Sequence, residues 1–539
     1  MKFNFLLLPL SLLIFFSTLE ICFSQSSTKD QERKQMDIYL VIGQSNMAGR
    51  AEIESPLKDT LSNVYLFKGE KDDIWVPAVN PFNLYSTIRK EVAMQKLSPA
   101  YQFAKVLSEN NPENSIGLVV NVRGGTALSE WMPGTHYYQE VIRRSKLATQ
   151  DGAIKGIIWH QGESDVNKID GYLPNLQILI ESLRKDLENS KIPFIAGQLL
   201  NNNPQRQDFN AMILKLPQIV PNTAVVSSAG TYSFDGTHFD SKSQLLLGER
   251  YAGAMLDQIL WQEALFSFGL FADTQYADIE TLGKRNYRGS IKILENTVQK
   301  FNQYELSRII NLGDLIDRDF VSFEKPLNIL KKSRLPIIHV FGNHDFTVED
   351  GMKRKVPALL ENPRGYHSFE KEGFLFIILN GMDISLEAHK AGSKKYKLAE
   401  KKLAELNATG ANNAKAYNGG LGAKQLVWLE KQLQSAEKKG LKTLIFCHFP
   451  LLPENGLQLW DHQNMIDMLT KYSTVKAYFS GHHHEGNYVV DQGIHYLTVK
   501  GMVESLAESS GYIVYVFPNQ LVLKGMGEQE NLEMDFLPE

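Results

Sequence analysis

Short β-branched runs alternate with amphipathic stretches along this chain of 539 residues, and the alternation occurs as two successive series. The first series begins at Asp37 and closes with a helical pattern from about Lys242 to Ile259, and the second begins at Phe266. Strands separated by helices predict βαβ units, and therefore sheets that are largely parallel and covered by helices. A chain of this length exceeds one hydrophobic core, so we expect two α/β domains of about 250 residues each.

Apolar runs bounded by turn residues give the predicted strands. In the first series they are Asp37–Gly43, Ile116–Val122, Ile154–His160, Ile192–Gln198 and Thr223–Ser228. In the second series they are Phe266–Ala272, Arg308–Leu312, Pro336–Phe341, Phe374–Asn380, Lys442–His448 and Val475–Ser480, followed by a meander of Ile494–Val499, Gly511–Phe517 and Gln520–Lys524. No Pro/Gly/Ser-rich linker separates the series near Trp261–Phe266, so we expect the two domains to pack against each other.

The N-terminus has the pattern of an export signal. Lys2 precedes an apolar run from Phe5 to Phe16, and Cys22-Phe23-Ser24 supplies small residues before Gln25. The run is too short for a stable membrane anchor, so we expect a cleavable signal peptide over residues 1–24. Lipidation of Cys22 is an alternative, but the residues before it fit a lipoprotein signal poorly. We therefore expect an exported protein, periplasmic or secreted, with no stable membrane anchor.

The charge balance limits the partners of the chain. Its formal net charge is −4, whereas a general nucleic-acid binder normally presents a basic face, so we expect no nucleic-acid partner. One basic segment, Ser393–Leu406, carries five lysines, but Glu400 and Glu405 interleave with them. Such mixed charge predicts a solvated surface helix in preference to a basic docking site.

In the first series, the strand that ends at Gly43 runs into a turn that carries Ser45. A serine hydroxyl is a weak nucleophile and needs a general base within hydrogen-bond reach. His238 is the candidate base, and Asp235 lies three residues before it, a spacing at which the carboxylate can orient the imidazole. These residue types in this pattern predict hydrolysis of a carboxylic ester.

Two further features of this site follow from the chemistry. The developing oxyanion needs hydrogen-bond donors, and the candidates are the backbone N–H groups of Ser45 and of Gly124 or Gly125, together with the side-chain amide of Gln161. Glu163 is an alternative acid partner for the base, and it is equally compatible with a buried carboxylate that joins the loops around the site. The sequence leaves open whether Asp235 or Glu163 is the acid.

Four blocks of the first series, taken together, resemble a known family. Gly43–Met47, Gly124–Thr126, His160–Glu163 and Asp235–Phe239 resemble the SGNH-type hydrolases, specifically the carbohydrate-esterase branch of sialate O-acetylesterases and acetylxylan esterases. The resemblance implies a three-layer α/β/α domain with a parallel sheet over residues 36–262, an acetylated carbohydrate substrate and no cofactor. By the same resemblance the nucleophile, base and orienting acid are Ser45, His238 and Asp235.

The second series carries the groups that bind hard cations. Asp273 ends one predicted strand and Asp314 ends the next. Loops at the carboxyl ends of parallel strands can converge on one site. In a two-metal site a carboxylate is shared by ions about 3.5–4 Å apart, and we assign Asp314 to that bridge.

The order Asp-x-Gln, Gly-Asp-x-x-Asp, Gly-Asn-His-Asp, His and Gly-His-x-His resembles the calcineurin-like metallophosphoesterases. Gln275, where most of that superfamily has histidine, and the Asn418–Gly422 stretch are typical of the manganese-dependent ADP-ribose/CDP-alcohol diphosphatases. The resemblance implies an α/β sandwich over residues 265–539. It also implies a phosphoester or nucleoside-diphosphate-type substrate.

The same resemblance implies two sets of metal ligands and a proton donor. One ion is held by Asp273, Gln275, Asp314 and His484, and the other by Asp314, Asn343, His448 and His482. His344 lies over the phosphate and Asp345 orients it. An amide oxygen in place of imidazole favours Mn²⁺, with Mg²⁺, iron or Zn²⁺ as alternatives.

The sequence thus predicts an exported bifunctional hydrolase, a serine esterase followed by a two-metal phosphoesterase. Two alternatives remain open. One half can be catalytic while the other is a glycan-binding or structural module, or the metal domain can act on phosphomonoesters or phosphodiesters.

Overall fold

The computed structural model describes residues 36–70 and 73–536, so the predicted signal peptide lies outside the described residues. Within these ranges no helix combines the length and the apolar character needed to cross a membrane.

The first domain is built on one seven-stranded sheet with the order β3-β2-β4-β1-β5-β6-β7. All neighbouring strands are parallel except the edge pair β2 and β3. The central strand β4 is buried throughout, as expected for a parallel sheet covered on both faces. The strands are β1 Met36–Gly43, β2 Val64–Glu70, β3 Asp73–Pro77, β4 Ile116–Val122, β5 Gly152–His160, β6 Phe194–Gly197 and β7 Thr223–Val226.

Helices cover both faces of this sheet. Alternate residues of β1 enter two different cores: Ile38 and Leu40 pack with the helices on one face, and Tyr39 and Val41 with those on the other. The result is the three-layer α/β/α domain that the sequence predicts. The helices are α1 Ser45–Ala48, α2 Pro99–Asn110, α3 His136–Ala148, α4 Tyr172–Asp186, α5 Pro204–Ile213, α6 Leu216–Ile219 and α7 Ser241–Glu263.

The second domain is a sandwich of two six-stranded sheets, ordered β10-β9-β8-β19-β20-β21 and β11-β12-β15-β16-β18-β17. Aromatic side chains fill the space between the sheets: Phe376, Phe446 and Phe479 of the second sheet stack in sequence, with ring centroids 5.6 and 5.1 Å apart. The strands are β8 Phe266–Phe271, β9 Ile309–Asn311, β10 Ile337–His339, β11 His367–Lys371, β12 Phe374–Ile378, β13 Ile384–Ser385, β14 Gly419–Gly420, β15 Lys442–Phe446, β16 Val475–Ser480, β17 Asn487–Asp491, β18 Ile494–Thr498, β19 Gly511–Val516, β20 Gln520–Met526 and β21 Leu532–Asp535.

Helices pack on the outer faces of the sandwich, where Leu294, Leu429 and Leu433 belong to a large apolar cluster. The helix α11 carries the lysine-rich segment, and Lys395 and Lys402 form ion pairs with Asp383 and Asp461. The helices are α8 Ser290–Phe301, α9 Glu324–Leu330, α10 Val356–Leu359, α11 Lys394–Ala408, α12 Ala423–Lys439 and α13 His462–Leu469.

The two domains contact each other directly. Helix α7 ends at Glu263 and β8 begins at Phe266. The Trp261 indole N–H donates to the Glu305 carbonyl at 3.3 Å, the Leu265 N–H donates to the Val516 carbonyl at 2.8 Å, and Lys524 pairs with Asp257.

The contacts of Trp261 and Leu265 lie near the starts of β9 and β8; Val516 ends β19, which runs antiparallel to β8. Glu305 precedes β9, and Gln262 donates to the carbonyl of Lys191, which precedes β6. The carboxyl ends of the parallel strands, where catalytic loops collect in such sheets, therefore face away from the junction in both domains.

Candidate active sites

A close approach of two strand ends builds the first site. Gly43 has φ 137°, and a side chain there would overlap the backbone of His160. The Gln44 N–H donates to the His160 carbonyl at 2.9 Å, which holds the ends of β1 and β5 together. Ser45 follows as the first residue of α1 and is 8% exposed. The candidate nucleophile thus lies on a short, tightly tied turn.

His238 and Asp235 form a pair on a loop after β7. The His238 Nδ1 lies 2.6 Å from the Asp235 Oδ2, and the other carboxylate oxygen accepts the N–H groups of Thr237 and His238 at 2.9 and 2.7 Å. Partial burial opposes ionisation, but the hydrogen bonds from His238 outweigh it and lower the pKa of Asp235 to about 2. An ionised Asp235 keeps the proton on Nδ1 and leaves Nε2 available as a base.

Asn46 joins this loop to the serine turn. Its Oδ1 accepts the Phe239 N–H at 3.1 Å, and its Nδ2 donates to the Thr237 carbonyl at 3.2 Å. The residue next to Ser45 therefore binds the residues on both sides of His238. The motif that contains Ser45 and Asn46 does not by itself reveal this role of Asn46.

The structure separates the two candidate acids. Glu163 accepts a hydrogen bond from the Asn46 Nδ2 at 2.5 Å, and its nearest imidazole is that of His160, 4.0 Å away. Its second oxygen is buried and has no protein partner among the described residues. Asp235, and not Glu163, is thus the carboxylate that contacts His238.

The side-chain amide of Gln161, predicted as an oxyanion donor, has other acceptors in the structure. Its Nε2 lies 2.5 Å from Asp165 Oδ2, 2.9 Å from the Thr126 carbonyl and 3.2 Å from Gln44 Oε1. Three protein acceptors compete for two amide protons, and the residue is 1% exposed. Gln161 instead joins the loops beneath the site, and its Oε1 accepts the Tyr172 hydroxyl at 2.8 Å.

Backbone donors remain for an oxyanion. The N–H groups of Ser45, Gly124 and Gly125 have no protein acceptor within residues 36–70 and 73–536. Gly124 lies against the serine, because a Cβ on it would be 3.4 Å from the Ser45 Cβ.

In the second domain, loops at the carboxyl ends of five strands carry the predicted metal ligands. The strands and their ligands are β8 with Asp273 and Gln275, β9 with Asp314, β10 with Asn343, β15 with His448, and β16 with His482 and His484. Four of these residues have the positive φ angles that non-glycine residues rarely adopt: Asp273 53°, Gln275 43°, Asp314 54° and His482 68°. Strained backbone of this kind clusters at functional sites.

One group of ligands surrounds His448. Its Nε2 lies 3.3 Å from Asp314 Oδ2, 3.2 Å from Asn343 Oδ1 and 3.2 Å from His482 Nδ1. Asp314, His448 and His482 each present a ligand atom within 4.8 Å of the others, so this triad can hold a metal ion.

A second group lies on the other side of Asp314. Gln275 Nε2 is 3.1 Å from Asp314 Oδ2 and 3.1 Å from His484 Nε2, which is 3.6 Å from Asp273 Oδ1. The side-chain amide of Gln275 thus lies between two candidate ligands, and its Oε1 is buried without a protein partner in the described part of the chain, so the amide has an oxygen free for a cation. Carboxylate, amide and imidazole together suit Mn²⁺ or Mg²⁺, so the residues present fit the expected metals.

Buried charges at this site stabilise one another. Burial opposes ionisation of Asp314, but the neighbouring His448 and His344 lower the pKa of Asp314 below its usual range. In turn, Asp314 overcomes the effect of burial and raises the pKa of His448 to about 9. The pKa of His484 also rises to about 9, because Asp273 and Glu504 outweigh its burial.

The second nitrogen of each ligand imidazole is also held. His448 Nδ1 lies 2.9 Å from the Leu312 carbonyl, His484 Nδ1 lies 2.9 Å from Glu504, and His482 Nε2 lies 3.1 Å from Asn418 Oδ1. Partners of this kind fix the orientation of metal-binding imidazoles. The sequence analysis gave Glu504 no role, because nothing in its spacing marks it.

His344 has a different partner from the predicted one. Its Nδ1 lies 2.7 Å from Asp317 Oδ1, and its backbone N–H donates to Asp314 Oδ1 at 2.7 Å. Burial opposes protonation, but Asp314 and Asp317 together raise the pKa of His344. Asp317 therefore orients this imidazole.

Asp345, predicted to orient His344, does not contact that side chain. Its carboxylate accepts the backbone N–H groups of Gly342, Asp314 and Leu315 at 2.9, 3.1 and 2.8 Å. Burial and repulsion by Asp314 raise the pKa of Asp345 to about 7. Asp345 thus ties the two ligand-bearing loops together, and its predicted pairing is wrong because the turn directs the carboxylate back toward the strand ends.

Family profiles match the chain in two places. Residues 35–257 match the family described as carbohydrate esterase, sialic acid-specific acetylesterase, and residues 266–486 match the calcineurin-like phosphoesterases. The protein is therefore a hydrolase composed of an esterase domain and a metallophosphoesterase domain.

Relatives give the family of the second domain. A manganese-dependent ADP-ribose/CDP-alcohol diphosphatase of Oryza sativa is 31% identical over 310 residues, a match that covers 51% of this chain and 96% of the relative. The chain belongs to this diphosphatase family through its C-terminal half.

Two solved structures match one half each. A dimetal phosphatase from Danio rerio is 24% identical, with 51% of this chain and 100% of that chain covered and a TM-score of 0.47. An Arabidopsis thaliana protein is 27% identical, with 41% of this chain and 98% of that chain covered and a TM-score of 0.38.

Proposed function

We propose that both domains are catalytic and that the protein is an exported bifunctional hydrolase. The first domain removes O-acetyl groups from carbohydrates without a cofactor. The second hydrolyses diphosphate bonds in substrates of the ADP-ribose or CDP-alcohol type with two divalent ions, Mn²⁺ first among them. In each domain, the candidate residues that chemistry of this kind needs lie in loops that follow the carboxyl ends of strands.

The contact between His238 and Asp235 at 2.6 Å carries the esterase assignment. The Ser45 hydroxyl attacks the acetyl carbonyl carbon while its proton passes to Nε2 of His238. Asp235 stabilises the resulting imidazolium. The N–H groups of Ser45 and Gly124 receive the oxyanion, and His238 then returns the proton to the departing sugar oxygen.

For the second domain, the assignment is carried by the position of Asp314, whose Oδ2 lies within 3.3 Å of His448 on one side and within 3.1 Å of Gln275 on the other. Asp314 and the ligands around it would hold the ions, which when bound would supply Lewis-acid polarisation of the phosphate and an activated water. His344, oriented by Asp317, is placed to give a proton to the leaving phosphate oxygen. Asp314 and Asp317 raise the pKa of His344 against the effect of burial, a direction that favours the protonated imidazole.

A substrate panel tests this assignment. Protein loaded with Mn²⁺ is assayed with ADP-ribose, CDP-choline, cyclic nucleotides and p-nitrophenyl phosphates, and with acetylated sialic acid and acetylated xylan for the esterase. We expect the diphosphates to be the best phosphate substrates. Preferred cleavage of a phosphomonoester or phosphodiester would assign the metal domain to that chemistry instead, and glycan binding without deacetylation would make the first domain a binding module.

Export rests on the pattern of residues 1–24, and its test is independent of both activities. The full-length chain is expressed in a host with a secretory pathway, and the mass and N-terminus of the product are determined. We expect a product that starts near Gln25 in the periplasm or medium. An uncleaved chain that stays inside the cell would overturn this part of the proposal.

A further inference from the structure

The cationic side chain of Arg50 lies beside the esterase nucleophile. The position that a Cβ would take on Gly124 is 2.7 Å from Arg50 Nη2 and 3.4 Å from the Ser45 Cβ. The guanidinium and the serine side chain therefore meet over the same face of Gly124, and they can do so only because this residue has no side chain.

The backbone fixes Arg50 in this position. Its Nη1 donates to the Gly49 carbonyl at 2.6 Å and to the Met94 carbonyl at 2.9 Å. Its Nη2 and Nε have no acceptor among the residues that the structure describes, and no ion pair to Arg50 is present there. Burial lowers the pKa of Arg50, and no neighbouring carboxylate offsets this effect. A half-buried guanidinium without a counter-ion favours the arrival of negative charge.

The oxyanion is the negative charge that the reaction itself creates here. The side-chain amide of Gln161 donates to protein acceptors in the structure. The Gly124 N–H is a candidate oxyanion donor, and Arg50 Nη2 lies against the same residue. A donor with full charge also stabilises an oxyanion more strongly than a neutral amide.

We propose that Arg50 is a catalytic residue of the esterase site and that its Nη2 donates a hydrogen bond to the carbonyl oxygen of the acetyl group as that oxygen becomes an oxyanion. The inference rests on the proposed esterase function. As the Ser45 oxygen bonds to the carbonyl carbon, the π electrons of the C=O bond move to the oxygen beside Arg50. They return when the bond to the sugar oxygen breaks, and that oxygen takes the proton held by His238.

A different role for Arg50, binding the carboxylate of an acidic sugar, makes a different prediction. p-Nitrophenyl acetate has an acetyl carbonyl but no sugar and no carboxylate. Loss of a carboxylate-binding residue therefore leaves its hydrolysis unchanged, whereas loss of an oxyanion donor slows it.

The experiment compares R50M and R50K with wild type, with S45A and with the charge-matched control K96Q, whose side chain is exposed. For R50M on p-nitrophenyl acetate we expect kcat to fall about 10²–10³-fold with KM little changed, as for removal of one oxyanion donor. R50K keeps the positive charge but loses the hydrogen bonds of the guanidinium to the Gly49 and Met94 carbonyls, so we expect an intermediate kcat. K96Q should match wild type. Thermal unfolding and the Mn²⁺-dependent activity of the same samples report on folding.

Three results separate the outcomes. If R50M hydrolyses p-nitrophenyl acetate at a rate close to wild type, the inference is overturned, whether or not acidic sugars are affected. If wild type shows no activity that depends on Ser45, the esterase function itself fails and the inference falls with it. If R50M does not fold, the G124A variant tests the proposal in its place. The added methyl group displaces Arg50 Nη2 while the positive charge remains, so an unchanged kcat in G124A would contradict the proposal.

Discussion

The two candidate sites handle charge in opposite ways. In the esterase domain the acid–base pair is near the surface, with side chains of His238 and Asp235 23% and 40% exposed. In the metal domain Asp314 and His448 are fully buried, and the backbone of Asp314 is strained. A site that transfers one proton can use an acid–base pair that is exposed to solvent. A site that holds cations must collect several donors out of water, and the surrounding fold must offset both the desolvation and the strain.

The two sites also belong to different domains. The candidate esterase residues follow strands of the first domain, and the candidate metal ligands follow strands of the second. We therefore expect the two activities to be independent, and each prediction below changes one site and uses the other as its reference.

The largest effect is expected from Ser45→Ala. Removal of the nucleophile should lower esterase kcat by about 10⁴–10⁶-fold, because the other catalytic groups act through it. The measurement is hydrolysis of p-nitrophenyl acetate beside Mn²⁺-dependent ADP-ribose hydrolysis. Phosphoesterase activity should stay at the wild-type level, and a parallel loss of both activities would contradict independent sites.

Asp314→Asn should lower ADP-ribose hydrolysis by about 10³-fold or more, because both ligand groups lose their shared carboxylate. Asp319→Asn, an exposed aspartate on the same loop, is the matched control. The bound metal content, measured by elemental analysis, should fall in D314N only. Retention of two ions per chain in D314N would rule out the bridging role.

Asp317→Asn should have a smaller effect, about 10²-fold on kcat, because the metal ligands remain while His344 loses the carboxylate that orients it and favours its protonated form. The decisive measurement is the dependence of kcat on pH. Since Asp317 raises the pKa of His344, the alkaline limb of kcat should move to lower pH in the variant. An unmoved limb together with a lowered kcat would make Asp317 a structural residue only.

The smallest effect concerns acid stability. The pKa of Asp235 is about 2 in the folded protein against an ordinary value of 3.8, so its interactions contribute stability that is fully present above about pH 4 and lost as pH falls toward 2. The thermal midpoints of wild type and Asp235→Asn should therefore differ at pH 6 and converge near pH 2. The difference will be small, because the carboxylate is 40% exposed. A constant difference across this range would show that the carboxylate charge is not the cause.

The sequence predicts the central strands well and the edge strands poorly. The bounds of β4 and β16 match the predictions, because buried parallel strands are continuous apolar runs. The sequence analysis missed β3, β11, β17 and β21, which lie at sheet edges, as well as β2 and the β13–β14 ribbon. Edge strands remain partly exposed, so their apolar pattern is weak; β17, for example, has no buried residue.

For the sites, motif spacing identifies residue types but not their partners. The candidate metal ligands come from the resemblance to the metallophosphoesterase motifs, and each lies at the end of a predicted strand or within four residues after it. The partner of His344 cannot be chosen from the sequence. Asp345 is adjacent to His344 in the sequence, but the residue in contact is Asp317, which lies 27 residues earlier. The partners of Gln161 also cannot be chosen from the sequence, because only the folded loops bring Thr126 and Asp165 to its side-chain amide.

The most direct test of two independent hydrolytic sites is one pair of assays on metal-stripped protein that lacks residues 1–24. Hydrolysis of p-nitrophenyl acetate and of ADP-ribose is measured before and after addition of Mn²⁺. The account predicts acetate release at the same rate in both conditions and ADP-ribose cleavage only after Mn²⁺ is added. Acetate release that requires Mn²⁺, or ADP-ribose that stays intact with every divalent metal, would contradict it.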